Sequence, residues 1–173
     1  MVAINQNMIQ GFVDAGVNGA TTADKGKALE DLICYLFDLV PGIAITHRNE
    51  KNEFATEEID VALFNEGLPF LPNIILVEAK NWSNRVGSVE VAWFLTKLAN
   101  RGLDFGILVT TLGITGDAGD LTAAHQTVAM ALPQRRKLIV LTIDEISALA
   151  DTDELVKLIK TKLCDLAVKG TIG

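Results

Sequence analysis

Cysteine is scarce in this sequence: only Cys34 and Cys164 occur among its 173 residues. Neither has a second cysteine or a histidine at ligand spacing, so the sequence predicts neither a disulfide framework nor a zinc site. Both lie among aliphatic residues in a helical pattern, which is typical of free, buried thiols. We therefore expect two buried thiols with a packing role.

Positive charge is also in short supply. Lysine and arginine together number 15, against 22 aspartates and glutamates, and the net charge is −7. This balance argues against a protein that coats nucleic acid by charge alone. It is compatible with an enzyme that contacts nucleic acid over a small patch.

Long apolar runs are missing as well. No window approaches the ~20 consecutive apolar residues that a membrane span requires. The N-terminus has no basic segment followed by an apolar core, so we expect a cytoplasmic protein without a secretory signal. With no internal repeat or linker, the sequence predicts a single domain over residues 1–173, with its core at about 24–143 and C-terminal helices at 144–168. We expect the first ~20 residues to be loosely ordered, as termini often are.

The order of helical and strand patterns predicts an α/β sandwich. A helix fits "ATTADKGKALEDLICYLFDLVPG", with Asp24 or Thr22 as its candidate N-cap and Pro41-Gly42 as its stop. Three strand patterns follow, and then helices alternate with two further strands. Two capped helical segments, starting near Asp144 and Asp151, close the chain. Such an order implies a strand meander that continues by crossover helices into a mixed sheet.

The third strand pattern, "IILVEAK", ends in two opposite charges. Its four aliphatic residues are apolar on both faces, which is typical of a central strand covered by helices. Glu78 and Lys80 follow, and a spacing of two places them on the same face. An unpaired buried carboxylate is costly, so this pair must meet a cleft, a metal ion or further partners. A simple ion pair at the end of a strand is the ordinary alternative.

Two further acids make a functional site the better interpretation. Asp60 lies at the corresponding end of the preceding strand pattern, so an antiparallel hairpin brings it beside Glu78. Glu30 lies on the polar flank of the first predicted helix, which must pack on the same sheet. Two or three carboxylates with a lysine have the composition that binds a hard cation and cleaves a phosphodiester beside it.

The constellation of Glu30, Asp60 and Glu78-Ala79-Lys80, in this element order, resembles the PD-(D/E)xK nuclease superfamily. The likeness is strongest to Mrr-type restriction nucleases and archaeal Holliday-junction resolvases, and it extends through "VEAKNW", "VGSVEVAWFLTKL" and "GILVTTLGIT", over roughly residues 24–143. Ile59 stands where the family motif has proline.

The resemblance implies a restriction endonuclease-like three-layer sandwich with a central mixed five-stranded sheet and flanking helices. It implies a deoxyribonuclease that depends on Mg²⁺ or Mn²⁺ and hydrolyses DNA through a metal-activated water. Asp60 and Glu78 would bind the ion, with the Ala79 carbonyl as a third oxygen ligand and Glu30 contributing directly or through water. Lys80 would position or activate the water and neutralise charge on the phosphate.

Contacts to DNA require basic and aromatic side chains. The best candidates are Arg85 and Trp82, which lie in the loop after Lys80, and Lys27, which lies on the first helix. The remaining basic candidates are Lys25, Arg48, Lys51, Lys97, Arg101 and the run 134–137. Because acids outnumber these bases, we expect specific DNA binding to need a partner protein or DNA-targeting domain, a second copy of the chain or an unusual DNA structure. The resemblance implies a homodimer.

Two alternatives belong to other functional classes. The first is a catalytically idle nuclease-like domain that serves as a nucleic-acid-binding or assembly subunit. The second is a small-molecule binder built on the glycine-containing loop 113–119, although this loop matches no P-loop spacing. His125 and His47 are weaker site candidates, which we expect at a helix boundary and a solvated strand end.

Overall fold

The computed structural model describes residues 1–53, 56–80, 83–116 and 124–170. The helices are α1 (Gln6–Asn18), α2 (Thr22–Asp38), α3 (Ser88–Asn100), α4 (Ala124–Ala131), α5 (Ile143–Ser147) and α6 (Thr152–Lys169), with a short 3₁₀ helix at Leu132–Gln134. The strands are β1 (Ile43–Lys51), β2 (Glu58–Asn65), β3 (Ile74–Lys80), β4 (Phe105–Thr110) and β5 (Lys137–Thr142). Within the described ranges, no helix is long and apolar enough to cross a membrane.

The five strands form one mixed sheet in the order β1-β2-β3-β4-β5. β1, β2 and β3 are antiparallel neighbours, as short connections allow. β3, β4 and β5 run parallel, and helices α3 and α4 lie between them in the chain, as parallel crossovers require. The predicted meander with crossover helices is therefore confirmed.

The sheet separates two apolar cores, which makes the fold a three-layer sandwich. On one face, α1, α2, α5 and the first turns of α6 cover side chains such as Val77 and Ile107. On the other face, α3 and α4 cover alternate residues such as Leu76 and Leu108. Every residue of β4 is buried, because helices cover both of its faces.

Helix α1 corrects the expectation of a loosely ordered N-terminus. The Asn5 side chain caps the helix by accepting hydrogen bonds from the backbone N–H groups of Asn7 and Met8. Ile9 is buried against α2, and a short bridge pairs Ala3 with Asp151. The helical pattern of this segment is diluted by asparagine, glutamine and glycine. Its order comes from docking onto the rest of the fold.

Helix caps differ in detail from the predicted ones. Thr21 caps α2, whereas the sequence predicts Thr22 or Asp24, and Asp24 instead completes a capping box with Thr21. Asp151 caps α6 as predicted, through hydrogen bonds from the backbone of Asp153 and Glu154. These caps satisfy backbone donors that a helix cannot satisfy itself.

Only one of the two free thiols is buried. Cys34 on α2 lies in the core, and its burial raises the pKa of the thiol. Cys164 on α6 is exposed, contrary to the expectation of two buried thiols. The aliphatic neighbours of Cys164 face the core, whereas Cys164 lies on the other side of the amphipathic helix.

Gly67 approaches the neighbouring backbone too closely for a side chain. A Cβ atom at this position would lie 2.1 Å from the carbonyl oxygen of Pro41. We expect Gly67→Ala to lower the free energy of unfolding by about 1–3 kcal/mol, as overpacking does, in urea denaturation. Gly26→Ala is the control, because no atom lies within 4 Å of its added Cβ. Since Gly26 is helical, the control should be neutral or stabilising by up to about 1 kcal/mol, and an equal loss in both variants would contradict the argument.

Candidate active site

The register of β2 and β3 brings two acids together. The last pair in the register is Val61 with Val77, and Asp60 and Glu78 are the residues next to this pair on the two strands. The Asp60 Oδ2 atom also accepts a hydrogen bond of 2.7 Å from the Ala79 backbone N–H. The hairpin thus holds Asp60 against the end of β3.

Glu78 is almost completely buried, and two lysines neutralise its charge. Its exposed fraction is 2%. The Lys80 Nζ atom lies 2.9 Å from Oε1. The Lys97 Nζ atom lies 2.9 Å from Oε1 and 2.7 Å from Oε2, and it also donates a 2.8 Å hydrogen bond to the carbonyl oxygen of Glu58. This pairing explains how a buried carboxylate is tolerated at the end of a central strand.

The position of Lys97 in the structure differs from the sequence-based prediction. The sequence predicts Lys97 as a candidate contact to DNA, yet it is 5% exposed and extends from α3 onto the sheet, where it contacts Glu78. The error arose from treating its charge as a sign of solvent exposure. Lys97 is three residues after Phe94 and adjacent to Leu98, on the apolar stripe of α3. In the sequence, a lysine within such an apolar stripe is the feature from which a buried acidic partner could have been predicted.

Burial and neighbouring charges shift the acid–base properties of the site. Burial, and after it the negative charge of Glu78, raises the pKa of Asp60 from 3.8 to about 6, although the Ala79 N–H and both lysines act in the opposite direction. Burial acts to lower the pKa of Lys80, but the ion pair with Glu78 and the charge of Asp60 outweigh it, so this pKa lies above its ordinary value of 10.5. Lys80 is therefore an ammonium cation at neutral pH.

The described contacts of Glu30 are to β1. Its Oε2 atom accepts a 2.8 Å hydrogen bond from the Asn49 side chain and lies 3.9 Å from the Arg48 guanidinium, both on β1. Helix α2, which carries Glu30, packs on the sheet face opposite α3. Glu78, in contrast, faces α3 through Lys97. The structure thus joins Asp60, Glu78 and Lys80 and leaves Glu30 tied to β1.

The donor set of Asp60 and Glu78 fits a hard divalent cation. Both provide carboxylate oxygens, and the Ala79 carbonyl lies on the same strand end. Their mutual repulsion, which contributes to the raised pKa of Asp60, is the kind of strain that a cation relieves. Across the described residues, no group of three Asp, Glu, His or Cys side chains could hold a metal ion. Two carboxylates suffice for Mg²⁺, because this ion keeps several of its waters.

Two of the three best candidate DNA contacts are on the surface. Arg85 and Lys27 are exposed, as a contact to phosphate requires. Arg85 is anchored near the strand ends, because the next residue, Val86, forms a parallel bridge with Ile114 after β4. Trp82 lies outside the described residues.

Several other basic candidates are already paired with acids. Arg48 lies 2.6 Å from Asp31, and Arg101 forms an ion pair with Glu57. Lys51 pairs weakly with Glu58 at 4.0 Å. These pairs reduce the positive charge available for DNA. In the run 134–137, Arg135 and Lys137 are exposed, in keeping with a solvated turn.

Of the two histidines, His47 is exposed and His125 is nearly buried. His47 is exposed at the edge strand, as expected, whereas His125 is 9% exposed within α4. Residues 117–120 of the glycine-containing loop lie outside the described ranges. Trp93 on α3 is 51% exposed, and Phe70 is 39% exposed with the Lys160 ammonium 4.9 Å from its ring centre.

A mixed sheet between two helical layers, with acids and a lysine at the ends of adjacent strands, defines the restriction endonuclease-like fold class. Residues 25–159 match the family model described as restriction endonuclease (Mrr_cat). The chain therefore belongs to this family, and the predicted resemblance is confirmed. Membership implies nuclease activity on DNA.

A solved structure supports the fold. The protein described as "DNA modification-dependent restriction endonuclease AspBHI" superposes with a TM-score of 0.50 and 16% sequence identity over 92% of this chain. The match covers 40% of that protein's chain, so this sequence corresponds to less than half of AspBHI. A comparison with curated proteins finds no match. The predicted three-layer fold with a five-stranded mixed sheet is confirmed.

Proposed function

We propose that this chain is a Mg²⁺- or Mn²⁺-dependent deoxyribonuclease that hydrolyses phosphodiester bonds of DNA. The observation that carries the proposal is the convergence of Asp60 and Glu78, with the Lys80 ammonium 2.9 Å from Glu78, in a chain of the restriction endonuclease family. In our proposal Asp60 and Glu78 bind the metal ion. The Ala79 carbonyl provides a further oxygen, and Glu30, whose side chain is hydrogen-bonded to Asn49, contributes through a water molecule.

Each residue has a physical role in this reaction. When bound, the ion supplies Lewis-acid polarisation of the phosphate and lowers the pKa of a bound water. The Ala79 N–H orients the Asp60 carboxylate through their 2.7 Å hydrogen bond. Lys80 is an ammonium cation because its pKa is raised, so it acts as a hydrogen-bond donor and a positive charge beside the phosphoryl oxygens. Its protonation argues against a role as general base.

DNA contacts are proposed for the exposed Arg85 and Lys27, and for Trp82, which lies outside the described residues. Arg85 and Trp82 belong to the loop that follows Lys80, and Lys27 extends from α2. The net charge of −7 supports the further proposal that binding is assisted by a second copy or by a DNA-targeting domain or partner protein. The exposed Val89 and Trp93 on α3 support a homodimer. We place this activity in the cytoplasm.

One observation favours a second candidate, a nuclease-like domain that binds DNA or assembles with partners without cutting. Both oxygens of Glu78 are already engaged by lysines. In addition, the described part of the chain offers no set of three acidic, histidine or cysteine ligands for an ion. An idle domain could retain such a charge-balanced cluster for its structural role.

A cleavage assay with controlled metal content tests the proposal. We expect the purified chain to cut plasmid, linear, branched or methylated DNA with Mg²⁺ or Mn²⁺ and to leave all four intact in EDTA. Isothermal titration should show Mn²⁺ binding in the wild type and none in Asp60→Asn. DNA binding without cutting in either metal would favour the idle domain, and cutting in EDTA would exclude the proposed chemistry.

A further inference from the structure

Lys97 is a buried cation placed directly on a proposed metal ligand. Its Nζ atom contacts both oxygens of Glu78, at 2.7 and 2.9 Å, and the carbonyl oxygen of Glu58 at 2.8 Å. An ammonium group has three donors, and these three contacts account for all of them. Lys97 therefore satisfies Glu78 as a cation in the metal-free protein.

The two lysines at Glu78 differ in how firmly they are held. The Lys80 side chain is 24% exposed, whereas that of Lys97 is 6% exposed. Helix α3 holds Lys97 in place, because its neighbours Phe94 and Leu98 are fully packed in the core. Packing thus fixes the position of the Lys97 side chain more firmly than that of Lys80.

A divalent ion that binds Glu78 would be repelled by the positive charge of Lys97. An ion bound to either carboxylate oxygen would be a direct neighbour of the Lys97 ammonium, and like charges repel strongly where water is excluded. The Glu58 carbonyl gives Lys97 a partner that does not depend on Glu78. Lys97 can therefore share or release the carboxylate without losing every hydrogen bond.

We infer that Lys97 is the resident cation of the active site, which competes with the divalent ion for Glu78 and thereby sets the metal concentration that the protein requires. This inference rests on the proposed function, because it presupposes that Glu78 and Asp60 bind the ion. It assigns Lys97 a positioning and regulating role through Glu78, without contact to substrate. A purely structural role for Lys97 predicts the opposite effect, since a disordered Glu78 would bind the ion less well.

The test is the affinity for Mn²⁺, measured by isothermal titration without DNA. Lys97→Met removes the charge and keeps most of the apolar side chain. We expect its dissociation constant to fall about tenfold or more relative to the wild type, because a repelling charge is removed. Lys97→Gln should show the same direction, and its amide can still donate a hydrogen bond to Glu78. This second variant preserves the test if the methionine variant does not fold.

Two controls isolate the charge at this position. Lys97→Arg keeps the positive charge and should keep the wild-type affinity for Mn²⁺. Lys162→Met removes another buried lysine, which is paired with Glu145 next to the end of β5, two strands from β3 in the sheet. Because the two sites share no partner, we expect Lys162→Met to change the Mn²⁺ affinity by no more than about twofold.

The outcomes separate this inference from the proposed function. Tighter Mn²⁺ binding in Lys97→Gln, with unchanged binding in both controls, supports the competition. Binding that depends on Asp60 in the wild type but is unchanged or weaker in Lys97→Gln overturns the inference and leaves the proposed function standing. Absence of Mn²⁺ binding in the wild type and in every Lys97 variant overturns both.

Discussion

Replacement of Lys80 by methionine is expected to lower the rate of DNA cleavage by about 10²–10³-fold while the protein stays folded. The ammonium group of Lys80 provides the positive charge beside the phosphate in the proposed reaction, and methionine retains only the apolar part of the side chain. The fold should persist because Lys97 still neutralises Glu78 through two contacts. Cleavage of plasmid DNA in Mn²⁺, together with a thermal unfolding curve, measures both quantities.

Lys169→Met provides the matched control for this experiment. Like Lys80, Lys169 forms an ion pair, in this case with Asp165 on α6. Lys169→Met therefore removes one positive charge and one ion pair, as Lys80→Met does. We expect this variant to cut DNA at nearly the wild-type rate. Cutting by Lys80→Met at the control rate would rule out the assigned role of Lys80. Loss of cutting in both variants would point to overall charge as the cause.

Asp60→Asn is expected to stabilise the metal-free protein at neutral pH while it abolishes binding of Mn²⁺. Folding raises the pKa of Asp60 from 3.8 to about 6, because the carboxylate is buried and lies near Glu78. A shift of this size corresponds to about 3 kcal/mol of unfavourable free energy for the charged form. Asparagine avoids this cost and can still accept the hydrogen bond from the Ala79 N–H.

The sign of the pH dependence follows from the two pKa values. Between pH 3.8 and about 6 the folded wild type holds a proton on Asp60 that the unfolded chain has released. Protonated Asp60 therefore contributes stability that is fully present below pH 3.8 and is lost as the pH rises through about 6. The advantage of Asp60→Asn should thus be largest above pH 6 and should vanish near pH 4.

Urea unfolding in EDTA across this pH range measures the advantage of Asp60→Asn. Asp14→Asn, which replaces an exposed carboxylate on α1, is the control and should show no comparable dependence. A difference between wild type and Asp60→Asn that is independent of pH would contradict the raised pKa. A carboxylate kept at such a cost is consistent with selection for function.

Much of the fold and part of the candidate site were predictable because the relevant signals are local in the chain. The segment "IILVEAK" shows its central position through apolar residues on both faces, and its charges mark the end of the strand. Asp60 and Glu78 meet because a short hairpin joins β2 to β3, and adjacent antiparallel strands need no knowledge of distant parts. The helix caps could also be predicted to within a few residues for the same reason.

Contacts between elements that are distant in the chain could not be predicted from such local signals. The partnership of Lys97 with Glu78 depends on how α3 is rotated against the sheet, which nothing in either segment specifies alone. The order of α1 depends on its docking to α2 and to the start of α6. Glu30 shows the same limit, because its contacts to β1 follow from the placement of α2.

The order of the elements, the central strand and the charged residues at its end follow from the amino-acid sequence alone, because side-chain periodicity and turn residues act over a few positions. Which charges are buried together follows from the packing of the folded chain, and with it the raised pKa of Asp60 and the second cation on Glu78. Burial and electrostatic coupling depend on contacts between segments that are far apart in the chain.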